Sequence, residues 1–294
     1  MIYSDDPLFS FYQSYAYELK QQAFSQEMLA SFCVAIWDFY KTNKRDFAWR
    51  NTIDSYEIVV SEIMLQQTQT QRVAHMYPLF LEKFQTFGAL AGAPKQELLA
   101  SWVGLGYNRR VLALQGIAQW VVAQHQGKLP SDVALLQACK GLGPATSASI
   151  VTFAFNMPTV FIETNVRAVF LHIFFNALDE ISDKKLYPLV AATVDQINPR
   201  EWYYALMDYG VFIKKRYKNP SRKSKHYNVQ SKFIGSDRQI RGHIVRVLAQ
   251  QKQVLVVDVA HELHVAMDRL QAIIGGMERD GFLVYKNDRL LLQE

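Results

Sequence analysis

From Gln26 to Ile213 the apolar residues return every three or four positions and nowhere alternate for the length of a strand, which restricts this part of the chain to packed helices. Leu29, Phe32, Cys33, Ile36, Trp37 and Tyr40 form one such stripe and predict a core-facing helix over 26–40. The same spacing predicts helices beginning at Tyr56 and spanning 77–87, 98–102 and 111–125. A short helix over 131–138, an apolar one over 147–155, and helices over 166–175, 187–194 and 202–213 complete an all-α body. Half of the 294 residues are hydrophobic, enough for a core that needs no staples. Residues 1–27, rich in Tyr and Phe, are expected to be an N-terminal extension packed on that body, which occupies 28–213.

Beyond residue 236 the pattern changes. Residues 239–250, 257–263 and 265–279 read as helices, and Asp280 to Leu292 reads as a hairpin with Lys286, Asn287 and Asp288 at its tip. Three helices and a β-wing make a winged helix, expected as a small domain over 237–294. Such modules bind DNA or dock other proteins. The helix at 265–279, in the recognition position, carries only Arg269 and Arg279 as cations, which argues against strong sequence reading.

Charge is unevenly spread. Between Lys214 and Arg246 stand eleven Lys and Arg against a single acid, Asp237, so +10 sits there while the rest of the chain carries −5 of the net +5. A basic linker over 214–236 is therefore either a solvated spacer or a polyanion contact. The two cysteines, Cys33 and Cys139, lie in apolar surroundings and read as core thiols. They cannot supply a disulfide framework or a four-cysteine metal or iron–sulfur site. The acidic, aromatic start Met1–Asp6 has no leader pattern, and no apolar run reaches membrane length. A soluble cytoplasmic protein, nucleoid-associated in a bacterium, is expected.

Three stretches carry chemistry. In Val160-Phe161-Ile162-Glu163-Thr164-Asn165-Val166-Arg167 an apolar run ends in a carboxylate just before a helix. Thr164 and Asn165 are good N-caps, so the amides and dipole of that helix would keep Glu163 ionised and able to stabilise a nearby cation. The alternative is a carboxylate that merely complements a helix start. In Ser61-Glu62-Ile63-Met64-Leu65 a carboxylate is followed by Gln66, Gln67, Thr68, Gln69, Thr70 and Gln71. Their amides suit base edges or a groove, and equally an ordinary polar helix face. Third, Gly141-Leu142-Gly143-Pro144 joins a short helix to the small-residue helix of Ala145 and Thr146 near 138–150. Bare backbone there lets helix-start amides approach an anion, the physics of a helix-hairpin-helix gripping a DNA phosphate. Gly104-Leu105-Gly106-Tyr107 makes a further tight turn ahead of Arg109 and Arg110.

Taken together, Ser61–Gln69, Gly104–Tyr107, Gly141–Gly143, Glu163–Arg167 and Met207-Asp208-Tyr209-Gly210 resemble, in order and spacing, the helix-hairpin-helix (HhH-GPD) DNA glycosylases, most closely the MutY-type adenine glycosylases, with endonuclease III as a cousin. The resemblance implies a two-lobed helical body with the DNA and an extruded base between the lobes. It also implies that Glu62 is the general acid that protonates a purine, and that Glu163 stands where the family has an aspartate stabilising the oxocarbenium-like sugar. Gln66, Gln67, Thr68 and Gln69 would lie at the lesion, Gln67 inserting there. Tyr107 would pack at the opposite base, with Arg109 beside it, and Gly141, Gly143, Ala145 and Thr146 would hold a phosphate.

The chain departs from the family at four points. Glu163 is one methylene longer than the aspartate, on the order of the ~1 Å that costs 10²-fold in rate. Ala145 occupies the slot of endonuclease III's Schiff-base lysine, so no amine nucleophile is available for strand cleavage, and the larger polar residue of adenine enzymes is missing too. After Gly210, where an iron–sulfur cluster is expected, stand Lys214, Lys215, Arg216, Lys218, Arg222, Lys223, Lys225 and His226 and no cysteine, so no cofactor is expected and these cations would meet phosphate directly. A winged helix replaces the 8-oxoguanine-reading domain. The resulting expectation is a monomeric, cluster-free, monofunctional glycosylase of base excision repair, acting on duplex DNA that holds a mispaired or damaged base, adenine first, with a protein partner docking at the winged helix. The alternative is a DNA-binding protein that kept the fold, lost the chemistry and recognises lesions or DNA structure.

Overall fold

The computed structural model describes residues 3–225, 227, 232–251 and 253–293. The first helices are α1 (Phe9–Ser14), α2 (Ala16–Gln21), α3 (Gln26–Asn43), α4 (Ser55–Leu65), α5 (Thr70–Lys83), α6 (Phe87–Ala91), α7 (Lys95–Trp102) and α8 (Arg109–His125). Then follow α9 (Val133–Gln137), α10 (Pro144–Phe155), α11 (Thr164–Phe174), α12 (Asp183–Thr193) and α13 (Pro199–Arg216). The C-terminal elements are α14 (Asp237–Gln251), β1 (Gln253–Leu255), α15 (Val256–Leu263), α16 (Met267–Arg279), β2 (Leu283–Lys286) and β3 (Arg289–Leu292). The all-α expectation holds for the body. The run 77–87 is two helices rather than one: α5 stops at Lys83, and the Thr86 side chain accepts from the Ala89 amide to start α6.

One compact unit comprises Met1–Ile53, Ser131–Gln137 and Leu142–Val229. Its centre is aromatic: Phe32, on α3, meets Phe11, Phe170, Phe174 and Trp202, with the closest pair of centroids 5.1 Å apart. The N-terminal extension is fastened by a buried carboxylate. Asp6 accepts from the Leu8 amide at 2.9 Å, from Tyr209 Oη at 2.9 Å and from Tyr217 Oη at 2.6 Å. Helix α13 crosses the start of α11 at Gly210, where a Cβ would lie 2.6 Å from the Asn165 carbonyl oxygen and 2.7 Å from its Cβ. Gly210→Ala must push the two helices apart. It is expected to cost about 1–3 kcal/mol, the usual range for overpacking, read as a lower denaturant midpoint.

The other unit comprises Asp54–Pro130, Ala138–Gly141 and Gln230–Glu294. The C-terminal module therefore belongs with α4–α8. Its helix α14 packs its buried Ile240, Ile244, Val245 and Leu248 face and contacts α7, α16, β1 and β3. The order helix, strand, helix, helix, hairpin is compatible with the expected winged helix, with β1 added to the hairpin. Strands run antiparallel in the order β1-β3-β2, with Val254 opposite Leu290 and Tyr285 also opposite Leu290. Asn287 and Asp288 both have positive φ, 51° and 55°, as a two-residue type I′ hairpin turn requires.

Candidate active site and nucleic-acid interface

Glu62 sits in the last turns of α4, half-buried between the buried Ser61 and Ile63. Asp54 caps the other end of this helix, accepting from the Tyr56 and Glu57 amides. Directly after α4 the glutamine loop begins. Gln67 takes a left-handed backbone, φ 54°, and Gln66 donates to the Gly141 carbonyl at 3.4 Å. Gly141 approaches α8 so closely that a Cβ would lie 2.6 Å from the Ala113 Cβ, which explains why glycine stands there.

Arg110 holds these pieces together. Its buried guanidinium donates to the Ile63 and Met64 carbonyls at 2.9 Å each and to Gln66 O at 2.5 Å, satisfying acceptors that the end of α4 leaves open. It also donates to Thr68 Oγ1 at 3.0 Å and to the Leu105 and Gly106 carbonyls at 3.0 and 2.9 Å. Burial lowers its pKa to about 10, so it stays charged at neutral pH. Tyr107, 38% exposed with φ 48°, presents its ring 5.6 Å from this guanidinium. One side chain thus fixes the Glu62 helix end, the glutamine loop and the tyrosine turn. Arg109 beside it is paired with Asp280, which also holds Arg241 at 2.5 Å. Burial of Asp280 opposes its charge, but hydrogen bonds from Arg109 and Arg241 leave its carboxyl below the usual range.

In the other unit the cap of α11 is Glu163 itself, not Thr164 or Asn165. Its Oε1 accepts from the Asn165 and Val166 amides at 2.7 and 2.8 Å, and Oε2 accepts from Asn165 Nδ2 at 3.2 Å. The carboxylate thus folds back onto the helix start, as the shorter Asp54 does on α4. Lys214 donates to Asn165 Oδ1 at 2.9 Å. Burial lowers the pKa of that ammonium, and the Glu163 charge partly restores it. Gly143 caps α10 with Pro144 in its first turn, and Gly141, Gly143 and Ala145 are exposed while Thr146 is half-buried.

The basic run divides. Lys214 is engaged as above, Arg216 pairs with Asp5, and Lys223 donates to the Asn176 carbonyl. Lys215, Arg222 and Lys225 are exposed, and His226 lies outside the described residues. The donor set does not fit an iron–sulfur cluster: the chain's two cysteines are elsewhere, half-buried rather than in the core and joined in no disulfide, with burial raising the Cys33 thiol to about 11. Among the described residues no group of three His, Cys, Asp or Glu could hold a metal, and no helix is long and apolar enough to cross a membrane. Sequence reasoning named Arg110, Asp208 and Asp280 but gave them no role, because their partners are distant in the chain.

Residues 60–193 match the family model described as HhH-GPD superfamily base excision DNA repair protein. The adenine DNA glycosylase of Arabidopsis thaliana is 31% identical over 222 residues, covering 66% of this chain and 35% of that protein. That of Mycolicibacterium smegmatis is 31% identical over 183 residues, covering 61% and 62%. The chain thus spans between about a third and three fifths of the length of these two relatives. The thymine/uracil-DNA glycosylase of Methanothermobacter thermautotrophicus is 28% identical, covering 62% of this chain and 84% of that protein. Among solved structures, a thermostable thymine-DNA glycosylase superposes with a TM-score of 0.58 at 25% identity, over 70% of this chain and 94% of that one. An endonuclease III trapped as a covalent DNA intermediate shares the fold, with a TM-score of 0.53 at 17% identity, over 72% of this chain and 92% of that one.

Proposed function

We propose that this chain, which belongs to the HhH-GPD superfamily of base excision DNA repair proteins, is a monofunctional DNA glycosylase that flips a mispaired or damaged base, adenine first, from duplex DNA and hydrolyses its N-glycosidic bond. The observation that carries this reading is the Arg110 clasp, which sets an acid, a glutamine loop and an aromatic turn on one rigid scaffold. Flipping is required because the bond is inaccessible in a stacked duplex. Glu62 gives its proton to the base as the C1′–N bond breaks, so the base leaves neutral. The Glu163 carboxylate, hydrogen-bonded by helix amides, balances the charge on the sugar until water adds at C1′, and the proton that water loses passes to the Glu62 carboxylate and restores the acid. Gln67 and Tyr107 fill the disturbed stack. The exposed hairpin at Gly141, Gly143 and Ala145 takes a phosphate on backbone amides, and Lys215, Arg222 and Lys225 add a salt-sensitive contact. Ala145 offers no amine, so no lyase step follows.

A second reading, removal of thymine or uracil, is favoured by the relative of which this chain covers the larger share. The test is base release from end-labelled duplexes, each holding one mismatch or lesion, read with and without alkali. One duplex cleaved only after alkali supports a monofunctional glycosylase and names its base. Silence across the panel with tight binding favours the lesion-recognition protein, and cleavage without alkali refutes the monofunctional assignment.

Glu163 separates chemistry from capping. Glu163→Gln keeps an acceptor for the α11 amides and removes the charge, so base release should fall about 10²-fold or more with the folding midpoint nearly unchanged. Glu163→Asp keeps the charge and should retain turnover. Equal rates for wild type and Glu163→Gln would leave this residue as a helix cap only.

A further inference from the structure

The glutamine loop and the Tyr107 turn do not end in open solvent. Together with α14 of the C-terminal module they line a groove of about 1160 Å³. Six arginines and, among the described residues, no carboxylate line it; Arg109 and Arg241 are paired with Asp280 and Arg110 with backbone carbonyls, which leaves Arg72, Arg238 and Arg246 as the cations that favour a polyanion. Arg238, Gly242 and Arg246 of α14 are among its lining residues. At spacings of four they share one face of the helix, with the two arginines about 12 Å apart along its axis. The opposite face, Ile240, Ile244 and Leu248, is buried, so the stripe is held in place. Arg238 also donates to Tyr107 Oη at 3.0 Å, so the stripe begins where the aromatic turn ends.

Gly242 points to what the groove holds. It is exposed in the middle of a helix, and a Cβ built there meets nothing within 4 Å, so nothing inside the protein requires glycine. Glycine is a poor helix former, and its place between two arginines on a groove suits a ligand that comes close to the helix backbone. Meanwhile α16, in the recognition position of a winged helix, has Arg269 committed to Asp237 and to the Gly235 carbonyl. We propose that the C-terminal module joins DNA binding through the Arg238–Gly242–Arg246 stripe of α14, which seats a sugar–phosphate backbone of the duplex running on from the Gln66–Tyr107 loops, and not through α16.

This rests on the reading of the protein as one that acts on DNA, so its test measures binding and base release separately. The full chain is titrated with a fluorescent, undamaged duplex over a series of salt concentrations. Gly242→Leu should weaken binding tenfold or more while the Tm holds or rises, a combination that a merely structural glycine would not give. Arg238→Ala with Arg246→Ala should flatten the plot of log K against log salt by about two, near 0.9 per phosphate contact. Wild-type affinity and slope in both variants would overturn the proposal, even if the enzyme releases bases normally. If the wild type binds the duplex and the variants do not, yet no base is ever released, the groove stands and the glycosylase reading falls. Should Gly242→Leu lower the Tm, the slope of the arginine pair decides.

Discussion

Glu62→Gln is expected to reduce base release by about 10²–10⁴-fold, the usual contribution of a positioned general acid, with duplex affinity unchanged within twofold. The amide has the size and planarity of the carboxyl it replaces. Arg110 donates to backbone carbonyls and to Thr68, so the glutamine loop and the Tyr107 turn should keep their shape. What is lost is a proton for the departing base. Single-turnover release from the responsive duplex, with affinity measured in parallel, checks both halves. A variant that still turns over within tenfold of wild type would take Glu62 out of the acid role. One that fails to bind would make Glu62 part of the DNA surface.

Local patterns made most of the helices legible, because their apolar faces repeat within a few residues. The carboxylate at 163 was legible as the start of a helix, but which residue caps it was not. Asparagine and threonine have the stronger general preference, and only the three-dimensional path shows the longer glutamate folding back onto the amides of Asn165 and Val166. Arg110 hid for a different reason. Its acceptors at Ile63, Met64, Gln66 and Thr68 lie 42 to 47 residues upstream, beyond any local pattern. The signal was present all the same: two arginines at a helix start oppose its dipole and need partners elsewhere. Asp280 supplies that partner for Arg109 and backbone carbonyls supply it for Arg110. The fusion of the C-terminal module with α4–α8 into one compact unit was hidden in the same way. A basic linker reads as a boundary, while the contacts that cross it, such as Gln96 to the Ala249 carbonyl at 3.0 Å, are long-range.

Asp208→Ala should destabilise the unit that carries Glu163 by about 3–5 kcal/mol, because it strands a buried guanidinium. The Asp208 carboxylate is 1% exposed and the Arg50 side chain 3%. Arg50 donates to both carboxylate oxygens at 2.8 Å, and Arg45 adds its backbone amide at 2.9 Å and its Nε at 2.5 Å. The Arg50 guanidinium also lies 4.4 Å from the Tyr204 ring, so its position is fixed from two sides. With the carboxylate removed, the cation keeps its burial and loses its anion, and water cannot replace the anion without opening α13 from the 45–50 loop. Gly210, two residues on, carries the contact of α13 with Asn165 and hence with the Glu163 cap, so the loss should reach the functional side chain. Chemical denaturation gives the stability. Base release scaled to the folded fraction then separates unfolding from misplacement of Glu163. A cost below about 1 kcal/mol, within the range of an exposed ion pair, would mean that this buried cluster does not hold α13 in place. A full cost together with a wild-type rate per folded molecule would confine its role to stability.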